Sequence, residues 1–123
     1  MKKRGFEAVE SEIRKEKAEA LGRAGERLER ALQELDASRR ELLDLLAAAH
    51  KSVFDGEERF SVEIKQRLED YARLYEQARE LRHSLIIQRE AVGLWGHEDM
   101  DRQYPLPRLL TLATAIRPEG AGG

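Results

Sequence analysis

The residues best placed to do chemistry are a histidine and a run of carboxylates, His97-Glu98-Asp99-Met100-Asp101, with Glu90 seven positions before the histidine. On a helix His97 and Asp101 would share a face, and imidazole beside carboxylates can bind a divalent cation or relay a proton. The grouping lacks the marks of such a site: there is no His-Glu-x-x-His, no second histidine nearby and no Asp-rich calcium loop. A polar turn that ends a helix accounts for the same residues, and that reading is preferred. His50 and His83 stand alone and read as surface or internally satisfied histidines. No glycine-rich phosphate loop follows a strand, no nucleophile elbow is present, and the few serines lie in charged helical contexts. The absence of cysteine excludes a disulfide framework, a thiolate zinc site and a cysteine nucleophile. The expectation is a non-enzymatic chain with no catalytic residue, metal or cofactor.

Two binding chemistries remain. Arg79, Arg82, His83 and Arg89, with Lys2, Lys3 and Arg4, could grip phosphates, but Glu80 and Glu90 dilute the patch and it lacks interleaved aromatics. Counts of 22 basic and 24 acidic residues, a net charge of −2 and a pI near 6.0 give no field that would draw in nucleic acid or an anionic membrane. A nucleic-acid-associated regulator using this basic face is therefore the alternative, and a solvated helix face is the preferred reading. Trp95 and Tyr104-Pro105-Leu106-Pro107 are the best candidates for docking a protein partner, since aromatics and pre-extended prolines bind with little loss of entropy. The competing reading, slightly favoured, has this stretch fold back and complete the core.

The elements that position these residues are helical. At 123 residues the chain is one domain by length, and 37% charged with 6% aromatic residues describes a fold with much surface and little core. From Phe6 to Phe54 there is no proline, and Ala, Leu, Glu, Arg and Lys dominate. Leu21, Leu28, Leu35, Leu42 and Ala49 recur every seven residues, with Ala24, Ala31, Ser38 and Leu45 as the companion series. Glu10/Arg14, Glu19/Arg23, Glu26/Arg30 and Asp36/Arg40 place an acid four residues before a base on the outer face. Gly22 and Gly25 sit among alanines, which favours a small-residue contact patch over a bend.

Near Asp55-Gly56-Glu57-Glu58 the chain should turn, with Gly56 as a left-handed cap and Asp55 or Ser61 starting the next helix. Ile64, Tyr71, Ala78, Leu85 and Val92 form its heptad series, widened by Leu68, Leu74, Tyr75 and Leu81, with Glu63/Arg67 and Glu69/Arg73 outside. The expected fold is thus all-α: a long antiparallel coiled-coil-like hairpin over residues 1–96, with helices near 6–54 and 57–94. A C-terminal appendage, 97–117, contains the extended Tyr-Pro-Leu-Pro segment, with residues 109–116 apolar as helix or strand, and 118–123 form a disordered tail.

At about 1.5 Å per residue the two helices measure about 70 and 60 Å, and a lone pair would leave Leu32, Leu43, Leu46, Leu74 and Ile86 partly in water. Dimerisation into a four-helix bundle would bury them, with Leu21, Leu28, Leu35, Leu42, Leu45, Ile64, Leu68, Tyr71, Ala78 and Leu85 as the oligomer interface. Met1-Lys2-Lys3-Arg4 resembles the basic start of a signal peptide, yet Gly5 to Glu19 has no apolar stretch and nothing approaches the roughly 18 residues of a membrane span. A cytoplasmic homo-oligomeric scaffold, adaptor or chaperone-like module, with no membrane contact, is the functional expectation.

Overall fold

The structure, a computed structural model, describes the backbone of residues 2–51 and 57–110 and the side chains of 5–51 and 60–110. Three helices account for most of it: α1 spans Lys2–Lys51, α2 spans Glu57–Ala91 and α3 spans Glu98–Gln103. Among the described residues there is no strand. The turn assigned to Asp55 and Gly56 and the 118–123 tail lie outside the described residues, as does the apolar stretch beyond Leu110.

The heptad residues within the hairpin do what their spacing demands, whereas Val92, past the end of α2, is exposed. Leu28, Leu35 and Leu42 of α1 and Tyr71, Ala78 and Leu85 of α2 are buried, and they face one another in antiparallel order. Leu85 packs with Ala24 and Leu28, Tyr71 packs with Leu35 and Leu42, and Arg67 reaches Glu41 across the seam at 2.8 Å. Rising numbers on one helix meet falling numbers on the other, so α1 and α2 form a hairpin. The Arg67–Glu41 bridge replaces the expected pairing of Arg67 with Glu63. Glu10–Arg14 at 4.0 Å and Asp36–Arg40 at 2.7 Å form as expected, and all three pairs are exposed enough that each adds no more than about 1 kcal/mol.

The second helix stops at Ala91, short of the expected Leu94, and its backbone shows why. Gly93 takes φ 90°, which glycine adopts without a Cβ clash; its N–H donates to Glu90 O at 3.0 Å, while Leu94 N–H donates to Arg89 O at 2.9 Å. Those two bonds are a Schellman cap and satisfy carbonyls that the helix end would otherwise leave open. The chain then reverses, and Met100 of α3 is driven into the cluster of Ala24, Leu28 and Leu85. Beyond α3 the chain runs extended along the hairpin, as Pro105 and Pro107 dictate, until Leu110 joins Leu35, Leu42 and Tyr71.

This third layer covers the stripe flanks. Leu32, Leu46 and Leu74 pack against the cluster that contains Leu110, and Ile86 packs against the one that contains Met100, whereas Leu43 stays exposed. Gly25 is the small-residue contact that the sequence suggests: it is buried, and a Cβ placed there would lie 2.8 Å from the Tyr104 hydroxyl. Gly22 has open space around it, and α1 continues uninterrupted through both.

The two glycines therefore predict opposite outcomes. Gly22→Ala should raise stability by about 0.5–1 kcal/mol through helix propensity. Gly25→Ala should fail to do so because it displaces Tyr104, and should recover the gain in a Tyr104→Phe background, which thermal melts of the four variants would read as non-additivity.

Candidate functional site

An arginine of α2 ties two parts of the third layer to the hairpin. Arg82 leaves α2 beside half-buried Leu81 and buried Leu85; its Nε donates to Tyr104 O at 3.1 Å and its Nη2 to Asp101 Oδ1 at 2.6 Å. The guanidinium fork thus grips the last turn of α3 and the start of the extended segment together. The basic-face reading placed Arg82 among phosphate-binding groups, whereas its donors are turned inward. Arg79 of the same patch donates to Glu76 at 3.4 Å. The signal that could have separated the two arginines is position, since residue 82 borders the apolar seam and residue 79 does not.

His97 and Asp101 do not come together. His97 precedes α3 and its Nε2 lies 2.9 Å from Glu90 Oε1, tying α3 back to the end of α2, while Asp101 belongs to Arg82. Asp99 pairs with Arg102 at 2.9 Å. Among the described residues no group of three or more His, Cys, Asp or Glu side chains could hold a metal ion. Two contacts therefore close the α2–α3 corner, the Arg82–Asp101 ion pair and the His97–Glu90 hydrogen bond, while Asp99–Arg102 is a pair within α3.

The docking candidates divide. Tyr104 and Leu106 fold onto the hairpin, Pro107 is half-buried and Pro105 is exposed, so the Tyr-Pro-Leu-Pro segment mainly completes the core. Its outer edge borders a groove with Glu29, Leu32, Gln33 and Asp36 of α1. Trp95 instead projects outward with 69% of its surface exposed, in company with exposed Val92 and Leu94. The residues expected at an oligomer interface are in contact within one chain: Leu28, Leu35, Leu42, Tyr71, Ala78 and Leu85 are buried there, and Leu21, Leu45, Ile64 and Leu68 are half-buried.

Sequence reasoning missed the surface that the hairpin leaves uncovered. Every residue from Gly5 to Glu19 is exposed, and this arm of α1 carries Phe6 at 67%, Val9 at 57% and Ile13 at 44% exposure. Their spacing of three and four residues was the available signal, obscured because they come without the leucines that mark the seam further along. No family model, curated protein or solved structure matches the chain. No helix among the described residues is long and apolar enough to cross a membrane.

Tyr71 links the layers electrostatically as well. Its hydroxyl donates to Arg108 O at 3.2 Å, and its ring lies 6.3 Å from that of Tyr75. Burial pushes its phenol above the ordinary value near 10, with the neighbouring Arg39 opposing that rise. A raised folded-state value means that this stabilising contribution is complete below about pH 10 and lost as pH climbs through the folded-state value. Tyr71→Phe should cost about 0.5–1.5 kcal/mol at neutral pH and flatten the alkaline limb of a stability-against-pH curve from denaturant titrations.

Truncation separates cap from exposed corner. Met100→Ala should destabilise by about 2–5 kcal/mol, and Trp95→Ala by less than about 0.5 kcal/mol, as measured by the denaturant midpoint.

Proposed function

We propose that the chain is a non-enzymatic coiled-coil interaction module, a scaffold, adaptor or chaperone-like protein that works as a homo-oligomer. The observation that carries this reading is the mismatch between α1 at 50 residues and α2 at 35, which leaves an arm of α1 with a line of apolar side chains that no other described residue covers. A charged helix of that length with nothing packed on it is marginal in water, because helical stability in proteins comes mainly from burying an amphipathic face. Apolar residues in steps of three and four on such a helix are the pattern by which one helix recognises another.

Other support is chemical. Arg82 with Asp101, and Glu90 with His97, hold α3 against α2, which fits a body whose task is to present a surface. The corner residues Val92, Leu94 and Trp95 extend the apolar surface available to a partner.

Sedimentation equilibrium from low to high micromolar concentration tests the reading. The expected result is a mass above the 14.1 kDa of one chain that rises with concentration. Replacing Phe6, Val9 and Ile13 together by serine should return the mass to that of one chain while leaving the melting of the hairpin in place. A wild-type chain that stays at one-chain mass throughout would overturn the proposal.

A further inference from the structure

We infer that the occupant of the exposed α1 arm is the arm of a second copy, laid antiparallel across it so that its first turn abuts the partner's α2–α3 corner. This inference rests on the homo-oligomeric reading above and specifies its interface.

Phe6, Val9, Ile13, Lys17, Ala20, Ala24 and Leu28 follow one another along α1 in steps of three and four. The arm stripe is therefore the same face that, from Ala24 onward, is covered by α2 and α3. Ala24 and Leu28 meet Leu85, so α2 ends, six residues later at Ala91, beside the root of the arm. The missing cover is a helix lying where α2 would have continued and running in the direction opposite to α1. An antiparallel copy of the arm has that direction, and a two-fold axis makes the contact reciprocal, so both arms are covered at once.

Charge agrees with this arrangement. The first turn of α1 reads Lys2-Lys3-Arg4, with no acidic residue, and in the antiparallel pair it arrives at the partner's α2 C-terminus. That terminus presents the negative end of a helix dipole, and the corner carries Glu90, Glu98, Asp99 and Asp101 against Arg82, Arg89 and Arg102, with Asp101 and Asp99 paired to Arg82 and Arg102, so the dipole is the main attraction for the basic turn. A parallel arm pair would instead bring the two Lys2-Lys3-Arg4 turns together.

The absence of cysteine makes thiol cross-linking clean. Phe6→Cys chains would be mixed with Trp95→Cys chains, both full length, and treated with a short bis-maleimide, with Leu43→Cys as the hairpin-side control. The expected product is a Phe6→Cys/Trp95→Cys heterodimer in excess of either homodimer, abolished when Lys2, Lys3 and Arg4 are all changed to Glu. A dominant Phe6→Cys homodimer would mean parallel arms, and a dominant Leu43→Cys product a hairpin-face bundle; either overturns this interface while leaving an oligomer by sedimentation. A one-chain mass by sedimentation with no cross-linked product would overturn the functional reading as well.

Discussion

The fold depends on how apolar surface is shared out around a two-helix seam. A pair of helices has one line of mutual contact, while the stripes on α1 and α2 are wider than that line. The buried series through Leu28, Leu35, Leu42, Tyr71, Ala78 and Leu85 occupies the line itself, and Leu32, Leu46, Leu74 and Ile86 lie to its sides. A third element must lie along those sides, and this chain supplies it from its own C-terminal portion. Met100 and Tyr104 reach one level of the hairpin, and Leu106 and Leu110 reach another.

That arrangement explains which parts of the molecule were legible in the sequence. The all-α class, the hairpin and the identity of the seam follow from seven-residue spacing, because only one face of a helix can be apolar at that period. The need for a further layer was legible too, from the width of the stripes. Its source was not: Leu32 and Leu74 require cover whether it comes from a second copy or from Leu106 and Leu110, and periodicity says nothing about which. The extended segment has no period, so its register had to come from shape, through the Cβ-less notch at Gly25 that admits the Tyr104 hydroxyl.

Charge was the least legible property. Spacing of four residues correctly gave Glu10–Arg14 and Asp36–Arg40, which are local. Arg67 and Arg82 act over 26 and 19 residues of sequence instead, and their partners Glu41 and Asp101 are set by tertiary approach. Arg82 shows how far a residue's role can move once that approach is known, since a member of an apparent phosphate-binding patch becomes the clamp of the third layer. His97 and Glu90, read from sequence as part of a polar helix-ending turn in preference to a ligand site, together latch α3 to the Schellman-capped end of α2.

The unequal lengths of α1 and α2 split the molecule into parts that answer to different variables. The layered body is an intramolecular assembly, so its integrity is set by temperature and solvent and is indifferent to dilution. Under the proposed arm pairing, the arm obeys mass action and its order tracks how many copies share a volume. One continuous helix would then join a segment that registers conditions to a segment that registers crowding by its own kind.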